Sequence, residues 1–200
     1  MSGIIVDGKG TSYKAEVDAR NELHTRSRTV DQAALKCVDG QIFLLSLPFY
    51  AVAAATPTRV AWMQFTDPVN YFVLDKLIPS WNGGDTNHNT AMNVEFIIGD
   101  GAPTAGHTLY GAANSNTLST NTLNATIYTW DGVTAGGIAT ATTGLSTGRM
   151  VVGQGYTIAP VDGKMIVGPG ITLSVRYTAE EAGVCTFTGY FYLFNPAVDG

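Results

Sequence analysis

The sequence predicts an all-β protein: an antiparallel two-sheet β-sandwich of jelly-roll type, preceded by an extended N-terminal arm with a hairpin. Three observations predict it. Short runs in residues 41–200 alternate apolar and polar side chains with the period of two that strands require. Gly, Asn and Asp clusters punctuate them, at Asn82-Gly83-Gly84-Asp85, Gly99-Asp100-Gly101, Asp131-Gly132, Asp162-Gly163 and Gly168-Pro169-Gly170. Nowhere in that stretch do apolar residues keep a 3.6-residue period for three turns. Many short strands joined by such turns suit two packed sheets, and a jelly roll more than an immunoglobulin-like sandwich, whose Cys spacing and central Trp are missing.

Charge divides the chain. Residues 1–40 hold six basic residues (Lys9, Lys14, Arg20, Arg26, Arg28, Lys36) and six acidic ones (Asp7, Glu16, Asp18, Glu22, Asp31, Asp39). The other 160 positions hold 5 basic and 10 acidic residues. We therefore expect a polar arm over 1–40 and a sandwich body over 41–200. At 200 residues the chain is long enough to bury about 70% of its extended surface around one core. With 14% charged and 45% hydrophobic residues it is no disordered polymer.

In the arm, Tyr13-Lys14-Ala15-Glu16-Val17 alternates as a half-buried strand, and Leu23 to Thr29 alternates again. Asp18 to Glu22 forms the turn. The period of two puts His24, Arg26 and Arg28 on one side of the second strand, with Arg20 just before it. Thr29-Val30-Asp31-Gln32 fits a capping box for a short helix through Lys36. A lone hairpin is marginal in water, so the arm needs a partner surface. We expect Tyr13, Val17, Arg20, Leu23, His24, Arg26 and Arg28 to provide it.

In the body, Met92–Ile98, Ile171–Tyr177 and Cys185–Leu193 alternate cleanly. Glu95 falls on the outer side of the first, where solvent accounts for it. Less regular strands are expected over 41–47, 59–66, 71–78, 108–112, 124–130, 156–161 and 164–167. Leu118–Gly148 is rich in Thr, Ala, Gly, Ser and Asn, and Ala135–Gly144 reads as a long exposed loop.

The chemistry-bearing residues are sparse. The net charge of −5 argues against nucleic-acid binding, which needs a basic excess. The longest apolar stretch, Ile42–Ala55, is short of the roughly 20 residues of a membrane span and contains Pro48. No signal peptide is expected from Met1–Gly10. Cys37 and Cys185 stand 148 residues apart, with no CxxC or CxxH spacing. Free thiols of a reducing compartment are favoured, with a bridge left open. His24, His88 and His107 lie in no nucleophile motif, and no Gly-x-Ser-x-Gly elbow occurs. Asp85-Thr86-Asn87-His88-Asn89 has alternating oxygen ligands, but Thr90 and Phe96 stand where a calcium loop needs Gly and Glu. No catalytic, cofactor or metal site is therefore expected. A second possibility is a glycan or receptor loop built on Trp81, Asn82, Asp85 and Asn87, with Trp81 as an exposed platform beside a Gly-rich turn.

One family resemblance adds to this. Val6-Asp7-Gly8-Lys9-Gly10-Thr11, then Lys14–Asp18, Asn21-Glu22-Leu23 and the polar stretch to Thr29 resemble the start of virion structural proteins of tailed bacteriophages. Weaker matches follow in order at Gly40-Gln41, Arg59–Phe65, Tyr71–Asp75, Pro169-Gly170 and Leu173. The resemblance implies a β-sandwich or jelly roll, often trimeric. It implies a virion location, after assembly in the host bacterial cytoplasm, and a role in capsid decoration, cementing or head-fibre attachment. The expected partners are the major capsid protein or other virion proteins and further copies of the chain. A receptor- or carbohydrate-binding tip or adaptor of a fibre, collar or tail is the alternative. The resemblance carries no catalytic residue.

Overall fold

The computed structural model describes residues 4–6, 14–17, 23–24, 36–37, 39–83, 90–114, 116–153 and 155–199, the first three segments by their backbone. The chain divides into two compact units, Met1–Asp31 and Gln32–Gly200. In the first unit β1 (Ile4–Val6), β2 (Lys14–Val17) and β3 (Leu23–His24) form an antiparallel sheet in that order. The β2/β3 hairpin has Glu16 opposite His24 and Val17 opposite Leu23. Strand β1, with Ile4 opposite Glu16, has too few residues to show a period and is not legible in the sequence.

The division falls before Gly40, where charge density changes. The reason is local packing. The Gln41 amide bonds Lys36 O at 2.7 Å, and the Lys36 ammonium, itself buried, donates to Gln41 Oε1 at 2.8 Å. Asn114 and Asn121 donate side-chain amides to Gly40 O. The end of the polar segment is thereby part of the second unit.

That unit is a two-sheet antiparallel sandwich. One sheet joins β4 (Ile42–Ser46), β18 (Gly183–Phe194) and β7 (Tyr71–Gly83) at its centre. Flanking them are β5 (Tyr50–Val52), β11 (Ala113–Asn114), β15 (Gly155–Tyr156) and β16 (Ala159–Val167). The other sheet has six strands: β10 (His107–Tyr110), β12 (Ala125–Trp130), β6 (Thr58–Phe65), β17 (Thr172–Ala179), β8 (Met92–Ile98) and β14 (Leu145–Val152), in that order. A small ribbon pairs β9 (Pro103–Ala105) with β13 (Ala139–Thr140), and one helical turn, Pro196–Asp199, follows β18.

Eight of these strands pair from the outside in: β4 with β18, β6 with β17, β7 with β16 and β8 with β14. The chain is thus one long hairpin wrapped so that its pairs alternate between layers, giving orders β4-β18-β7-β16 and β6-β17-β8-β14. This is the jelly-roll order, two interleaved Greek keys. Residues 99–144, between β8 and β14, are an insertion at the bend of the long hairpin; its β12 and β10 extend the six-stranded sheet past β6.

Inward positions follow the period of two. Phe72, Leu74, Leu77, Trp81, Cys185, Phe187 and Phe191 meet Ala61, Met63, Phe65, Val94, Phe96, Val175 and Tyr177 in one core. The sheets touch where Phe65 stacks on Phe72 with centroids 3.7 Å apart, and where Tyr50 packs on Trp130 at 5.3 Å. Gly189 sits among these rings. A Cβ there would lie 2.7 Å from the Phe191 ring, so any side chain would displace it.

The expected exposed loop over Ala135–Gly144 is mostly exposed, but it is pinned at Gly137 and Ile138, which are buried. Ile138 is 1% exposed and part of the core cluster. Its carbonyl accepts from Arg59 Nη1 at 2.8 Å, and its amide bonds Arg59 O at 2.9 Å. Gly137, at φ +83°, makes this approach possible, since a Cβ would fall 2.3 Å from Arg59 O. Arg59 Nε lies 2.8 Å from Asp100 Oδ2 at an angle too poor for a hydrogen bond, and Nη2 reaches Oδ1 at 3.4 Å. Asp100 Oδ1 also accepts the Gly144 amide at 2.7 Å, while its carbonyl accepts the Thr172 hydroxyl at 2.8 Å. Asp100 therefore ties both ends of the insertion to β6 through its carboxylate, and to β17 through its carbonyl. From Leu145 the chain continues as β14, a strand hidden in the sequence by Gly148 and a run of hydroxyl residues.

Candidate functional site

The residues expected to act fall in three places. Of the arm set, Val17, Leu23 and His24 lie in the β2/β3 hairpin, and Tyr13, Arg20, Arg26 and Arg28 lie outside the described residues. Of the loop set, Asp85 and Asn87 lie outside the described residues, and Asn82 is exposed at the end of β7.

Trp81 requires a correction: it is 0% exposed and lies in the core, so it offers no platform to a ligand. Strand β7 runs on to Gly83 rather than stopping at Ile78, and the spacing Leu77, Pro79, Trp81 keeps the indole on the inner face. Pro79 is tolerated because the Thr157 amide donates to its carbonyl, on the side where β15 ends and β16 has not begun. No ladder bond is expected from the Pro79 nitrogen there.

Both thiols are free. Burial pushes the Cys185 thiol up to about 12. His107 rests edge-on against the Tyr128 ring, 4.6 Å between centroids. Among the described residues no three His, Cys, Asp or Glu side chains are grouped to hold a metal ion.

Two surfaces of the sandwich carry distinctive chemistry. The first is the outer face of the seven-stranded sheet. Register aligns Ile42–Tyr192–Val73–Ile166, Leu44–Tyr190–Lys76 and Ser46–Thr188–Ile78 in adjacent rows. Lys76 is the one charged residue in these rows. Ile166 is 52% exposed, Leu44, Ile78, Tyr190 and Tyr192 are half-buried, and Ile42 and Val73 are buried.

The second is a charged row on the outer face of the other sheet. Register places Arg176 of β17 and Arg149 of β14 on either side of Glu95 in β8. Glu95 Oε1 accepts from Arg149 Nε at 3.1 Å and Nη2 at 2.9 Å; Oε2 accepts from Arg176 Nε at 2.8 Å and from its Nη2. Glu95 is accordingly 6% exposed, not solvated as its outward position suggests. The missing signal was β14, which supplies Arg149. Burial alone would raise the Glu95 pKa, but hydrogen bonds from Ser146, Arg176 and Arg149 overcome this and bring it down to about 2. With Pro57, Asn93 and Thr178 the three side chains line a pocket of about 310 Å³.

No protein-family model matches the chain, and no curated protein is significantly similar to it in sequence.

Proposed function

We propose that the chain is a non-enzymatic structural protein of a tailed-phage virion, a decoration or cement protein that binds and stabilises the major capsid protein shell. The observation that carries the reading is the outer face of the seven-stranded sheet. Its accessible members, Leu44, Ile78, Ile166, Tyr190 and Tyr192 with the hydroxyls of Ser46 and Thr188 and one charge, Lys76, suit a permanent interface, where charges are depleted and Tyr is enriched. The jelly-roll order supports the same reading, as does the resemblance of residues 6–29 to phage virion proteins. The arm adds a hairpin of the first unit, which a neighbouring surface can complete. Self-association, as a trimer, belongs to the proposal: sheet edges with few lysines to guard them are covered by closed symmetry among identical copies.

The test is composition and occupancy of purified particles. A decoration protein is present in the copy number of the capsid lattice rather than the few copies of a fibre tip. Tyr190→Glu with Ile166→Glu places two carboxylates in the face and should strip the protein from particles while its melting curve holds. Arg26→Ser with Arg28→Ser should reduce occupancy at low salt and less so at high salt, as screened rim pairs do. Absence of the chain from purified particles, or full occupancy with the two glutamates in place, refutes the proposal.

A further inference from the structure

The pocket around Glu95 is a second site, independent of the decoration reading. Two consecutive outward rows cross β17, β8 and β14: Arg176–Glu95–Arg149, and Thr178–Asn93–Val151. Residues two apart on a strand lie about 6.6 Å apart along it. The rows are therefore spaced by roughly one sugar ring. The volume of about 310 Å³ lies at the small end of ligand pockets, which begin at about 300 Å³.

The charge sets the ligand's sign. Two guanidinium groups and one carboxylate leave one positive charge, in a protein whose net charge is −5. Glu95 engages the Nε and Nη2 of both arginines, which leaves both Nη1 groups outside its network. Glu95 thus acts as a brace. It holds two planar forks in place before any ligand arrives, so less side-chain freedom is lost on binding. Arg149 is 71% exposed and accessible. One net positive charge suits a monoanion, and a guanidinium fork matches a carboxylate. The neighbouring Asn93 amide and Thr178 hydroxyl donate and accept neutral hydrogen bonds. Pro57 is the one apolar lining residue, which disfavours fatty and aromatic acids. We propose that this pocket binds a carboxylate-bearing sugar, with the carboxylate on Arg149 and Arg176 and ring hydroxyls on Asn93 and Thr178.

The experiment titrates the full chain with glucuronate, glucose and acetate, followed by amide and arginine side-chain NMR shifts. Glucuronate should give saturable shifts centred on residues 93, 95, 149, 176 and 178. Glucose should give none, and acetate should bind about tenfold more weakly, since it lacks the hydroxyls. Arg149→Gln, at an exposed position, should weaken glucuronate about tenfold or more while the melt stays cooperative, somewhat lowered by the lost Glu95 contact; Arg149→Lys should restore part of the loss, keeping the charge without the fork. Thr178→Val should narrow the gap between glucuronate and acetate. No saturable response to glucuronate, equal binding of glucose, equal binding of acetate, or an Arg149→Gln variant that binds as the parent does would each overturn the proposal. Occupancy on particles is a separate measurement, so this site and the decoration role can fail independently.

Discussion

Removing the Asp100 carboxylate should unfasten the insertion from the sandwich. Its side chain is fully buried, and that of Arg59 is 10% exposed. Asp100→Ala leaves a guanidinium in the interior without its counter-charge, which costs about 3–5 kcal/mol. The Gly144 amide also loses its acceptor, a further penalty of about 1–3 kcal/mol where water cannot replace it. Because the freed insertion can relax toward solvent, the two do not add in full, and we expect about 4 kcal/mol. For a unit of this size that is a fall of about 8–16 °C in melting temperature. The assay is thermal and urea unfolding by circular dichroism, with amide exchange at Ile138 and Gly144 reporting the local change. The double variant Arg59→Met, Asp100→Leu removes both charges together and should recover at least half of the loss, since the penalty lies in the uncompensated ion. A cost below about 1 kcal/mol for Asp100→Ala, or a double variant as unstable as the two singles summed, would refute this reasoning.

Two further outcomes follow from the groups whose protonation the fold shifts. The Glu95 carboxylate is lowered from 4.5 to about 2, so its contribution is complete above pH 4.5 and is lost as pH falls from there toward 2. Glu95→Gln should flatten that part of the stability–pH curve in acid unfolding, removing up to about 3 kcal/mol of pH dependence; an unchanged slope would contradict it. Cys185, buried and pushed up to about 12, should resist a thiol reagent at pH 8 while half-buried Cys37 reacts, and both should react in denaturant; equal native rates would contradict the burial.

Strand positions were legible wherever alternation was unbroken. The expected strand Met92–Ile98 coincides with β8, and Cys185–Leu193 lies within β18, because inward Val94, Phe96, Phe187 and Phe191 repeat at the pleat's own period. The β2/β3 hairpin was legible for the same reason. Strand β14 was not, since Leu145-Ser146-Thr147-Gly148 carries no apolar period; its extended form comes from the β8 backbone it pairs with. Ala135–Gly144 reads as loop by composition, yet Ile138 is buried because Arg59 and Asp100, 41 residues apart, meet beneath it.

The class of fold is written in local pattern. Periodicity and turn residues are local, so an all-β sandwich follows from neighbours along the chain. Tertiary structure alone decided what each exposed-looking residue does. Glu95 became a buried brace because strands carrying Arg149 and Arg176 arrive from 54 and 81 residues away. Trp81 became core because β18 and β15 prolong β7 past its proline. Register between distant strands places these groups side by side, and no local pattern encodes it.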